Sequence, residues 1–127
     1  MIEFGIYRCE ICKSIVSAIE SHQGELVCCG QPMKLLEEKT DEQEGKEKHV
    51  PIISVKGNKV TVKIGSVPHP MEEKHYIELI QILRQEKIIK SARLYSGEKP
   101  EAEFCLENTE NIKARALCNI HGLWITK

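Results

Sequence analysis

The chain has 127 residues, 18 of them basic and 19 acidic, for a formal net charge of −1. That balance offers no basic stripe for a nucleic acid, and a 41% hydrophobic share is enough to pack a core rather than leave the chain disordered. No apolar run approaches the ~20 residues that span a membrane, and Met1-Ile2-Glu3-Phe4-Gly5 lacks a basic region followed by an apolar stretch. The expectation is a soluble, cytoplasmic protein without membrane or nucleic-acid partners. In a reducing cytosol its six cysteines are expected to be metal ligands or core residues rather than disulfides.

Residues 1–36 read as a small all-β unit. Phe4–Arg8 is a short strand entering the Cys9-Glu10-Ile11-Cys12 turn, and Ile15–Ile19 and Leu26-Val27 are further strands separated by Gln23-Gly24. A unit this small buries too little of itself to be stable alone, so a structural metal is the expected staple. Residues 37–48 are charged and free of apolar side chains, the composition of a solvated linker. From 49 to 127 the chain reads as an antiparallel β-sandwich. Ile53/Val55 and Val60/Val62/Ile64 alternate around Gly57-Asn58, a hairpin signal. Tyr76–Leu83 fits a strand or an amphipathic helix, and its β-branched content favours the strand. Ile88–Tyr95, Ala102–Leu106 and Lys113–Leu117 complete the series.

Two groups of ligands stand out. Cys9, Cys12, Cys28 and Cys29 supply four thiols, a set that selects zinc or iron and leaves no open position. Spacing alone does not choose between the two metals. The adjacent pair Cys28-Cys29 must bend its turn for both sulfurs to reach one ion. The second group is His49, His69, His75, Cys118 and His121. His69 lies between Pro68 and Pro70 on a stiff loop, and Cys118-x-x-His121 is a turn followed by Gly122, which is free to take positive φ. Four imidazoles and one axial thiolate exceed zinc's usual four ligands, whereas iron accepts five and keeps a sixth position open. An axial thiolate pushes electron density toward that position, as in thiolate-ligated haem, which points to redox work on a small oxygen species. His22 in a polar turn, and Cys105 in the apolar run Phe104-Cys105-Leu106, are left out. Cys105 is expected in the core.

These segments resemble the desulfoferrodoxin family, the two-iron class of superoxide reductases. The resemblance rests on Tyr7-x-Cys9-x-x-Cys12, Leu26-Val27-Cys28-Cys29-Gly30-x-Pro32-Met33, Glu47-Lys48-His49-Val50-Pro51, Gly65-Ser66-Val67-Pro68-His69-Pro70-Met71-Glu72-Glu73-Lys74-His75 and Cys118-Asn119-x-His121-Gly122, and covers essentially the whole chain. It implies a desulforedoxin-like domain at 1–36 holding one iron by its four cysteines. It also implies an immunoglobulin-like β-sandwich at 49–127 holding a second iron by His49, His69, His75, His121 and axial Cys118. The implied reaction reduces superoxide to hydrogen peroxide without releasing dioxygen. Rubredoxin or a similar small carrier would be the electron donor, and the protein would be a homodimer. By the same resemblance Lys48 attracts the anion and helps organise protonation, while Glu47 reaches the iron once it is ferric. Read from composition alone, both are merely charges at the end of a linker. Tyr76 and Leu117 depart from the aromatic residues that relatives often carry there. A pure electron carrier and a module with two structural zincs are the competing expectations.

Overall fold

The computed structural model describes residues 3–40 and 45–126, and the chain divides into two compact units, Met1–Glu37 and Glu38–Lys127. The first unit holds five short strands: β1 (Ile6–Arg8), β2 (Ile15–Ser17), β3 (Val27–Cys28), β4 (Gln31–Pro32) and β5 (Lys34–Leu35). β1 is the middle strand of a sheet ordered β2-β1-β5, with Tyr7 opposite Val16 on one side and Leu35 on the other. β3 and β4 form a separate hairpin. Ile6, Tyr7, Cys9 and Ala18 are buried. Strands of two or three residues offer few ladder bonds, so regular structure contributes little here to holding the unit together.

The second unit contains β6 (Glu38–Lys39), the single-turn helix α1 (Lys46–His49), and β7 (Pro51–Lys56), β8 (Lys59–Ile64), β9 (Ile77–Arg84), β10 (Lys87–Arg93), β11 (Glu101–Cys105), β12 (Ile112–Cys118) and β13 (Gly122–Ile125). A five-stranded sheet ordered β10-β9-β12-β13-β6 faces a three-stranded sheet ordered β11-β8-β7. All neighbours are antiparallel except β6 and β13. The period-2 rule places Val60, Val62 and Ile64 of β8 on the inner face, against Ile80 and Ile82 of β9, Phe104 of β11, and Ala114, Ala116 and Cys118 of β12. The all-β reading and the sandwich are what the structure has. Tyr76–Leu83 resolves as strand because β9 is an inner strand, paired to β10 and β12 and buried along most of its length.

Three local expectations are corrected. Cys105 is exposed, not part of the core. It lies opposite Lys59, whereas its neighbours Phe104 and Leu106 take the buried positions, so an apolar run misled where alternation decides. Glu38 and Lys39, expected in the linker, form β6 and pair in parallel with Leu123 and Trp124. Residues 46–49, at the junction of linker and sandwich, form a helical turn. The strand β13 was not foreseen, because Gly122-Leu-Trp-Ile is too short to show a period.

Candidate metal centres

At the first centre, β1 delivers Cys9 into a tight turn closed by Lys13 N–H donating to the Cys9 carbonyl at 3.0 Å and Cys9 N–H donating to the Ser14 carbonyl at 2.9 Å. The Cys12 backbone N–H donates to Cys9 Sγ at 3.4 Å. On the other side, the pairing of Cys28 with Gln31 leaves Cys29 and Gly30 as a two-residue hairpin turn, with φ of 53° and 78°. Positive φ at both positions is the type I′ signature. That turn is how adjacent cysteines serve one centre: the left-handed backbone at Cys29 brings its sulfur to within 3.9 Å of Cys28 Sγ. Cys12 Sγ lies 3.6 Å from Cys28 Sγ, and all four sulfurs lie within 4.8 Å of one another. Sulfurs bound tetrahedrally at about 2.3 Å from one ion are about 3.8 Å apart, so the set fits a metal. The thiols are electrostatically unequal. The Ser14 hydroxyl, 3.1 Å from Cys12 Sγ, and the Ser14 backbone pull Cys12 down to about 6. Cys28, which donates to that thiolate, is pushed up to about 12.

The second centre is assembled from distant elements. His49 closes α1, His69 lies in the loop after β8, His75 stands two residues before β9, Cys118 ends β12, and His121 stands in the turn to β13. Their rings form a closed circuit of edge-to-face neighbours. His49–His69 and His69–His75 have centroids 4.8 Å apart, and His75–His121 and His121–His49 have centroids 4.9 Å apart, with interplanar angles between 67° and 82°. The ligand atoms of His49, His75, Cys118 and His121 lie within 4.8 Å of one another. His69 falls outside that tighter set and closes the ring between His49 and His75.

The hydrogen bonds fix the tautomers. His49 Nδ1–H donates to the Gly45 carbonyl at 2.8 Å and His69 Nδ1–H to the Pro70 carbonyl at 2.7 Å, leaving each Nε2 as a lone pair. Nε2 of His49, His69 and His75 is buried without a hydrogen-bond partner. Buried polar atoms without partners are costly, and three within one ring of imidazoles fit a cation that those rings would hold. His121 differs: its Nδ1 is 3.9 Å from Cys118 Sγ, and its backbone N–H donates to that sulfur at 3.4 Å. Burial disfavours the charged form of three of the imidazoles, with His69 lowered to about 4 and His49 and His121 shifted in the same direction.

Close backbone approach sets the positions. Gly65, at φ +84°, lies where a Cβ would come within 2.5 Å of the Val67 carbonyl oxygen and 2.7 Å of the Lys48 backbone. Only glycine lets the loop carrying His69 cross the turn carrying Lys48 and His49 so closely. A β-bulge between Leu117 and Cys118 adjusts the last residue of β12. Asn119 then ties the two ligand turns together: its Oδ1 accepts from Tyr76 N–H at 2.9 Å and its Nδ2 donates to the Lys74 carbonyl at 3.0 Å, flanking His75 on both sides.

Sequence reasoning missed Trp124. Its ring stacks on His49 at 4.7 Å and 14°, and its Nε1 donates to the His121 carbonyl at 3.0 Å. It is the chain's only tryptophan, three residues after a ligand, and that was the available signal. Lys48 is exposed on α1, and its charge contributes to lowering His121. The Glu47 side chain lies outside the described residues.

An all-β chain with a four-thiol centre in one unit and a four-imidazole, one-thiol centre in the other defines a non-haem protein with two mononuclear metal sites. Two family profiles match it, the desulfoferrodoxin N-terminal domain over residues 3–36 and desulfoferrodoxin over residues 41–127. The chain is 53% identical to a desulfoferrodoxin homolog of Archaeoglobus fulgidus over 94% of its own length and 93% of the relative's. It is 46% identical to a desulfoferrodoxin of Nitratidesulfovibrio vulgaris over 96% and 94%. Among solved structures, the superoxide reductase from Treponema pallidum covers 98% of each chain at 27% identity and a TM-score of 0.77. A one-iron superoxide reductase from Giardia intestinalis matches 63% of this chain and 95% of its own at 35% identity and a TM-score of 0.55. The chain belongs to the desulfoferrodoxin family, which binds two irons, and its two clusters are compatible with one iron each.

Proposed function

We propose that the chain is a superoxide reductase that converts superoxide, one electron and two protons into hydrogen peroxide without forming dioxygen. The observation that carries this reading is the ring of four histidines over buried Cys118, three of whose Nε2 atoms have no other partner. The kinship with proteins named superoxide reductases supports it. His49, His69, His75, His121 and Cys118 would hold the catalytic iron, and Cys9, Cys12, Cys28 and Cys29 would hold the other. Iron bound by the first of these sets supplies a single electron from a thiolate-ligated centre.

The remaining work falls to the protein. The carbonyls of Gly45 and Pro70 fix the tautomer and aim of two imidazoles, while burial disfavours their protonation, so each Nε2 lone pair is left for a metal. The His121 backbone N–H, donating to Cys118 Sγ, withdraws some charge from the sulfur and tempers its electron push. Lys48, exposed beside ligand His49, would draw in the small anion and help organise protonation of the product. Glu47, adjacent in sequence, would offer its carboxylate to the more positively charged, oxidised form of a bound iron. The four-cysteine centre is an accessory electron-transfer or structural site. A small carrier such as rubredoxin restores the reduced state, and the protein works as a cytoplasmic homodimer.

Pulse radiolysis with iron-loaded protein tests the reading. Bleached centres should oxidise in a bimolecular step and yield one peroxide per superoxide with no dioxygen. Dioxygen release in the dismutation ratio, or oxidation by superoxide no faster than by dioxygen, would overturn it in favour of a dismutase or a plain electron carrier. Cys118→Ser should abolish the second centre's visible band, and Cys105→Ser should leave it in place.

A further inference from the structure

β6 places Lys39 beside the second centre, although it lies in the segment that composition assigns to a linker. The parallel pairing of Lys39 with Trp124 puts the two side chains on the same face of the sheet. Lys39 Nζ donates to the His121 carbonyl at 3.0 Å and sits 5.4 Å from the centroid of the Trp124 ring. Trp124 in turn stacks on His49 and donates to that same carbonyl. One cation is thereby tied to two of the four imidazoles, through the carbonyl of His121 and through the ring against His49. Its neighbour Glu38 is engaged elsewhere, 3.6 Å from Arg115, so that carboxylate does not neutralise it.

We propose that Lys39 is a positioning residue of the second centre, clamping the His121 turn and setting a fixed positive charge behind His49 and His121 that favours the reduced state of a bound iron. It acts through Trp124 and the His121 carbonyl, not by touching substrate. The reduced state carries one positive charge fewer than the oxidised state, so a nearby ammonium destabilises it less. Lys48, on the exposed turn, meets the incoming anion, whereas Lys39 biases the electron's resting place. The inference rests on the iron reading given above.

Three variants separate charge from mere support. Lys39→Gln keeps a donor for the His121 carbonyl and loses the charge, Lys39→Met loses both, and Lys39→Arg keeps both. Spectroelectrochemical titration of the second centre should show a lower midpoint in the glutamine and methionine variants. A shift of roughly ten-fold in the reduced-to-oxidised ratio at fixed poise is expected for a partly screened unit charge, which is about 59 mV for a one-electron couple. Lys39→Arg should return the midpoint toward wild type. Emission from Trp124, the chain's only tryptophan, gives a second readout in metal-free protein and should change in Lys39→Met and not in Lys39→Arg. A glutamine variant with the wild-type midpoint would overturn the electrostatic role, whatever its stability. Unchanged Trp124 emission in Lys39→Met would overturn the placement. A wild-type protein with no reversible one-electron couple at this centre would sink the iron reading itself, and the inference with it.

Discussion

The two metal centres are built by opposite strategies. The four thiols come from two tight turns between Cys9 and Cys29, in a unit whose strands run to three residues at most, and Cys12 and Cys29 face solvent. The imidazole-and-thiolate centre draws on residues from 49 to 121, and its His49, His69 and Cys118 are buried. In the first case a bound metal would hold the turns in place. In the second, a sandwich core fixes the strand ends and the ligands arrive already aimed. A metal that builds its fold is a staple, and a fold that builds its metal site can afford to leave chemistry at the metal.

The sharpest way to break that contrast is to remove the metal. Chelation should unfold the first unit, a loss on the order of 10 kcal/mol of binding-coupled stability, while the amide protection of β8, β9 and β12 persists. Hydrogen exchange on metal-free protein checks this, and equal loss of protection in both units would erase the distinction. Next in size is Gly65→Ala. The added methyl meets backbone rather than a flexible side chain, and the positive φ is strained as well, so the sandwich should lose roughly 3 kcal/mol in thermal or denaturant melts. Iron content should fall at the second centre and stay level at the first.

Acid sharpens the comparison further. Burial lowers His69 from 6.5 to about 4. The unfolded chain therefore binds more protons than the folded chain between those values, and metal-free stability must fall as pH drops through that window. The expected loss at the second unit is roughly 2 kcal/mol, with His49 and His121 acting in the same direction. Urea melts from pH 7 to pH 4 measure it, and a flat profile would mean that the imidazoles are not held neutral. The smallest effect belongs to Lys48→Ala. Losing one exposed charge should slow the encounter with superoxide roughly three- to ten-fold and flatten its salt dependence, with iron content and spectrum unchanged.

How much of this was legible beforehand varies with the physics involved. Cysteine and histidine spacing announces ligands because few other uses require such residues in turns, and so both groups stand out in the primary structure. The sandwich is legible where alternation is clean, as in Val60/Val62/Ile64. It is less so in Phe104-Cys105-Leu106, where three apolar residues hide which one faces water. Trp124 and Lys39 leave almost no trace, because their importance arises from a parallel pairing between two short segments far apart in sequence. The cross-bracing by Asn119 was missed for a related reason. A hydrogen bond to the residues flanking His75 is a property of two loops meeting, and neither loop encodes it alone.

Cys118 is carried by β12, a strand bonded on both sides, to β9 and to β13, whereas His49, His69, His75 and His121 all hang from turns and loops. The ligand set thus has one member fixed by a sheet ladder and four fixed by local braces. Insertions or deletions in the loops beyond those braces can be absorbed, while any slip of β12 by one residue would turn the sulfur to the opposite face and erase the centre. Among descendants of such a chain, loop lengths around the ring are free to drift. The register of that single strand is the inheritance that cannot.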